Sequence, residues 1–186
     1  MFRRRPIRRA LRPLRGATRR GASQALITAN QMFESGNYQE AAKRFEAIAR
    51  TAETRGGPRA PQFYLQAGRA RILAGQTEAG LAHLKYGLSL YAKRGEWLHL
   101  RRAGQRIVAE LNERGLADAA QEVSAWLNGT LPADSRNIPE TTPDRKPFLP
   151  THCPSCGAAL RPDEVDWLDE ITAECAYCGS PVREDN

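Results

Sequence analysis

The chain contains no run of eighteen apolar residues, and its basic N-terminal stretch is not followed by a continuous apolar segment. Neither a membrane span nor a secretory signal is supported, and the expected location is cytoplasmic. Cysteine is scarce, with four in the chain, all of them in two C-x-x-C pairs. That usage excludes a disulfide framework and points to a metal. Histidine is rarer still, at three. His83 and His99 fall on expected helices with no cysteine or serine nucleophile near them in sequence, so packing or surface roles are expected for both. The glycines mark helix ends and not a phosphate-binding loop. With no catalytic constellation in view, the chain is expected not to be an enzyme.

Acidic residues are missing from positions 1 to 33, which hold nine Arg and so carry +9 in a chain whose total is +7. From Thr151 onward the balance reverses, with eight acidic residues against Arg161 and Arg183, or −6. The stretch between is +4 by difference, and the chain is a charge dipole. Residues 1–20 also carry Pro6 and Pro13, which interrupt helix where arginine repulsion has not already done so. We expect a basic disordered arm there. A solvated tail, an electrostatic contact with nucleic acid or an anionic surface, and an organelle transit peptide are the readings open to it. The first two fit better, because a transit peptide would be richer in Ser and poorer in Pro.

Between about 21 and 129 apolar residues recur at helical spacing. Leu26, Ala29, Met32 and Phe33 form one stripe, and Tyr38, Ala41, Phe45, Ile48 and Ala52 the next. A second pair of helices is expected over 60–74 and 77–93, and a third pair starts near Trp97 and near Leu116. Gly36, Gly75 and Gly115 stand at the elbows, 39 and then 40 residues apart. That period lies in the range of helical repeats, in which stacked hairpins shield one another's apolar faces. In the first hairpin Gly36, Tyr38, Ala41 and Phe45, and in the second Gly68, Gly80 and Leu84, resemble the tetratricopeptide pattern of glycine, aromatic, small and bulky positions. The third hairpin departs from it, with Ala120 and Ser124, and all three exceed the family's usual length of about 34 residues. The fold class implied is all-α, a solenoid of about three such hairpins with a small β zinc ribbon appended.

Residues 130–150 hold five prolines and no helical stripe, which reads as an extended linker separating the helices from the cysteine-bearing segment. Beyond it, Cys153-Pro-Ser-Cys156-Gly and Cys175-Ala-Tyr-Cys178-Gly lie eighteen residues apart, within the spacing of a four-cysteine zinc site. Each C-x-x-C turn aims two thiolates at one point, and two turns complete a tetrahedron. Val165–Leu168 and Ile171–Glu174 read as short strands joined at Asp169-Glu170, so residues 151–186 resemble a zinc ribbon. His152 is not assigned as a ligand, because its neighbour Cys153 already has the correct spacing. A segment this small needs metal binding to fold, so one structural zinc per chain, on Cys153, Cys156, Cys175 and Cys178, is expected.

These features lead to a non-enzymatic adaptor, in which a helical groove captures a protein or peptide and the ribbon makes a second contact. The alternative is a nucleic-acid-associated factor using the basic arm, since the ribbon's negative charge would repel phosphates. The tetratricopeptide resemblance implies one finer expectation. Aligned by the elbow glycines, Asn30, Gln66, Arg102 and Arg106 fall where carboxylate-clamp members of that family carry Asn, Asn, Lys and Arg, although Leu26 stands where the clamp has a Lys. Such a groove would take an acidic chain terminus, and this chain's own end, Arg183-Glu184-Asp185-Asn186, is a candidate occupant.

Overall fold

In the computed structural model, which describes residues 24–134, 148–162 and 165–183, each apolar stripe becomes a helix. Helix α1 is described over 24–34. It is followed by α2 (Tyr38–Thr54), α3 (Ala60–Leu73), α4 (Thr77–Arg94), α5 (Trp97–Glu113) and α6 (Ala117–Thr130). Three short strands, β1 (Asp166–Trp167), β2 (Thr172–Glu174) and β3 (Pro181–Arg183), form an antiparallel sheet in the order β1-β2-β3. The expected arm at 1–20, most of the expected linker and the chain end at 184–186 lie outside the described residues. No helix among the described residues is long and apolar enough to cross a membrane.

The elbows follow the glycine cadence. Gly36, Gly75 and Gly115 have φ of 81°, 78° and 73°, the left-handed conformation in which a helix can end and reverse without a Cβ penalty. Helices α2 to α6 pack chiefly on their neighbours in the chain. The closest approach joins α3 to α4. A Cβ on Gly68 would lie 2.8 Å from the Gly80 carbonyl oxygen, and one on Gly80 would lie 2.8 Å from the Gly68 carbonyl oxygen and 3.0 Å from the Ile72 backbone nitrogen. Two side chains on α3 tie this pair to the helices on either side. Arg69 grips Glu110 of α5 through two hydrogen-bonded contacts of 2.8 and 2.6 Å, and Arg71 holds Glu46 of α2 at 2.6 Å. Paired guanidinium–carboxylate contacts fix orientation as well as distance.

The apolar side chains collect in two cores. One, on the α4–α6 side, holds Leu84, Leu88, Leu100, Ile107, Leu111, Val123 and Leu127, and it reaches Leu131 just beyond α6. The other contains Leu26, Phe45, Phe63 and Tyr64 from α1 to α3. It continues without a break into Leu160, Val165, Trp167, Ala173, Val182 and all four cysteines. This continuity corrects the expectation that a proline-rich linker keeps the ribbon apart from the helices. The cysteine-bearing segment, the expected ribbon, is docked on them, because a sheet of two- and three-residue strands has an apolar face too small to close on itself and finds its cover on the helices.

Phe45 is 1% exposed and meets Phe33 edge to face, with ring centroids 6.4 Å apart. Phe45→Ala should therefore lower the unfolding free energy by about 3–5 kcal/mol, measured by denaturant titration. Gly80→Leu should prevent α3 and α4 from closing and reduce the cooperativity of the same transition. An unchanged midpoint in either variant would remove this packing register.

Candidate functional site: a four-cysteine centre docked on the helices

The two C-x-x-C segments form matching turns. The Gly157 N–H donates to the Cys153 carbonyl and the Cys153 N–H to the Ala158 carbonyl, both at 2.8 Å. In the second turn the Gly179 N–H donates to the Cys175 carbonyl at 2.8 Å, and the Cys175 N–H to the Ser180 carbonyl at 2.9 Å. Gly157 and Gly179, with φ of 73° and 66°, take the left-handed conformation that lets the chain leave each turn. As a result the four Sγ atoms lie within 4.8 Å of one another, and all four cysteines are buried. The Cys153–Cys178 and Cys156–Cys175 sulfur separations are 3.7 and 3.9 Å. A disulfide would require about 2.05 Å, whereas metal–thiolate bonds of about 2.3 Å in a tetrahedron imply sulfur–sulfur edges of about 3.8 Å. The donor set thus fits a tetrahedral metal ion.

Hydrogen bonding from the Cys156 thiol, then from Cys175 and Cys178, pulls Cys153 far below the usual thiol range, and the same contact with Cys153 pushes Cys156 far above it. Four thiolates cannot share this buried volume without a cation to offset their charge. His152 is exposed and bonded to Thr151, outside the sulfur cluster. The hairpin expected between the turns is present, with Asp166 opposite Glu174 and Trp167 opposite Ala173. Strand β3, which adds Val182 opposite Ala173, is not legible in the sequence, since three residues give too little alternation to read.

The docked face of the ribbon is acidic, and it meets α1, α3 and α5, the first helix of each expected hairpin. On α1, the Asn30 side-chain amide donates to the Cys156 carbonyl at 2.8 Å, and Glu34 accepts from the Ala159 N–H at 3.2 Å. On α3, Gln62 donates to Glu174 Oε1 at 2.9 Å. It also packs so tightly on Gly179 that a Cβ there would lie 2.7 Å from the Gln62 Oε1 atom. On α5, His99 meets Glu174 Oε2 at 3.2 Å, and Arg106 and Arg102 approach Asp166 at 2.9 and 3.8 Å. A small polar cavity remains in the seam, lined in part by Gln62, His99, Arg106, Asp166 and Glu174.

Of the four residues expected to line a groove, the structure brings three to this seam. Arg102 and Arg106 converge on a single carboxylate, and Asn30 holds a backbone carbonyl of the first cysteine turn. Gln66 is buried, and its amide has no hydrogen-bond partner among the described residues. Sequence reasoning missed Gln62, His99, Asp166 and Glu174 as interface residues. The signal that could have found them is the opposition between the −6 tail and the +4 middle. His83 contacts Glu46 at 3.3 Å and the ring of Tyr64, away from the cysteines.

Comparison of the chain with protein families, with curated proteins and with solved structures finds no match.

The geometry generates a metal test and a pH test. Elemental analysis should find one tetrahedral metal per chain, and Cys175→Ser should abolish it and lower the thermal midpoint of the helices as well, since both share one core. Loss of metal with no change in the helical transition would contradict the docked arrangement. For the pH test, the hydrogen bond that His99 donates to Glu174 raises the pKa of His99, against an opposing contribution from burial. A raised folded-state pKa means the contribution is complete below the unfolded value of about 6.5 and is lost as pH rises through the folded value. The stability difference between the metal-loaded protein and its His99→Gln variant should therefore be larger at about pH 6 than at about pH 8, on either side of that window. A difference that is constant, or that grows with pH, would contradict the pair.

Proposed function

We propose that the chain is a non-enzymatic protein-interaction module. In this reading three tetratricopeptide-like hairpins present a groove for acidic protein segments, and a ribbon is stabilised by one structural zinc. The observation that supports it most is the convergence of Arg102 and Arg106 on Asp166, with Gln62 and His99 together on Glu174. Four donor side chains from α3 and α5 are thus placed to receive two carboxylates on one short strand pair. Zinc is favoured as the metal by the all-thiolate donor set and the tetrahedral sulfur spacing, and a closed site of four thiolates leaves no coordination position for a substrate.

The test uses the full chain carrying Cys175→Ser, in which the metal site is lost. A fluorescent peptide copying residues 163–174, Asp-Glu-Val-Asp-Trp-Leu-Asp-Glu-Ile-Thr-Ala-Glu, is titrated and followed by anisotropy. Saturable binding is expected, weakened at least tenfold when Arg102→Ala and Arg106→Ala are added. Absence of binding, or equal binding in both backgrounds, would overturn the acidic-segment reading.

A further inference from the structure

We propose that the ribbon is a metal-gated plug. While the metal is bound, Asp166 and Glu174 occupy the donor side chains of the helices, and loss of the metal opens that face to an acidic segment of another protein. The inference rests on the groove reading above and adds its regulation.

The carboxylate-binding groups are already committed. Arg106 holds Asp166 at 2.9 Å, Gln62 holds Glu174 at 2.9 Å, and His99 meets the second Glu174 oxygen at 3.2 Å. A competing carboxylate therefore meets a face whose donors are in use. Displacing the ribbon as a folded unit would strip cover from Trp167, Val165, Ala173 and Val182, each less than a tenth exposed and part of the core shared with α1–α3. Apolar burial on that scale opposes simple competition.

The metal is a more effective lever because of where the two carboxylates stand. Glu174 directly precedes Cys175, and Asp166 is its partner across the β1–β2 ladder. Asn30 grips the carbonyl of Cys156 itself. Three of the groups that dock the ribbon are thus a ligand's backbone, a ligand's neighbour and that neighbour's cross-strand partner. The strands are two or three residues long, so their geometry depends on the cysteine turns, and the turns depend on the ion. Removing the ion dissolves the arrangement that presents both carboxylates, while Arg102, Arg106 and His99 stay on α5, whose core with α4 and α6 does not include the ribbon, and Gln62 stays on α3, which is packed between α2 and α4.

The experiment uses wild-type full chain and the labelled 163–174 peptide, with circular dichroism recorded in each state. The zinc-loaded protein should bind the peptide at least tenfold more weakly than the protein treated with a chelator, and added zinc should release the peptide. A full-length Asp166→Ala/Trp167→Ala/Glu174→Ala variant, which keeps all four cysteines but loses both carboxylates and the largest apolar side chain of the seam, should bind the peptide at least tenfold more tightly than wild type when both are zinc-loaded. Equal affinity in the loaded and chelated wild type, with Cys175→Ser also binding, would overturn the gate and leave the groove reading standing. No binding in any form, with helical dichroism retained, would overturn both. Should the chelated chain lose its helical signal, the zinc-loaded triple variant decides, and wild-type affinity in that variant would overturn the gate.

Discussion

Two carboxylates on the sheet between the cysteine turns, set against donors on the helices, are the contact on which the rest of this structure depends. Asp166 and Glu174 face each other across one ladder, and α3 and α5 supply Gln62, His99, Arg102 and Arg106 to meet them. In water such pairs contribute little. Here they stand at the edge of an apolar seam, where Trp167 and Val182 are already withdrawn from solvent, and the lower local dielectric strengthens each contact. The apolar part of the seam supplies most of the attraction, and the charged part fixes the register.

The same contact explains how a marginal ribbon and an open helical stack complete one another. A sheet whose strands are two or three residues long cannot enclose a core, and α1 to α3 contribute Leu26, Phe45, Phe63 and Tyr64 to the core it joins. Each lacks what the other offers. Between them, the close approach of Gly68 and Gly80 and the Arg69–Glu110 and Arg71–Glu46 grips hold α2, α3, α4 and α5 in fixed relation. Donors on two different helices therefore reach their carboxylates together.

Most of the secondary structure is legible in the sequence, because the helices are long enough for their apolar period to show and their ends carry glycines at regular spacing. The four cysteines are legible for a different reason, since thiolate chemistry fixes their spacing almost independently of the surrounding fold. What the sequence conceals is the relation between the parts. Prolines at 132, 139, 143, 147 and 150 argue locally for separation, whereas docking is a long-range property of Trp167, Val165 and Ala173 finding cover on helices far earlier in the chain. The repeat register points to Arg102 and Arg106 as carboxylate receptors, and among the described residues they approach Asp166, in the body of the ribbon. His99 gives no local signal of its role, because its partner, Glu174, is 75 residues away in sequence.

The central claim, that the metal holds the ribbon against the first helices, is tested most directly by amide hydrogen exchange on the full chain with zinc and after chelation. Segments from α1, α3 and α5 that lie under the ribbon, around Asn30, Gln62 and Arg102, should lose protection when zinc is removed, while α6 around Val123 keeps it. Exchange that is unchanged under the ribbon, while residues 151–183 alone become unprotected, would show that the ribbon and the helices do not depend on each other and would contradict the account.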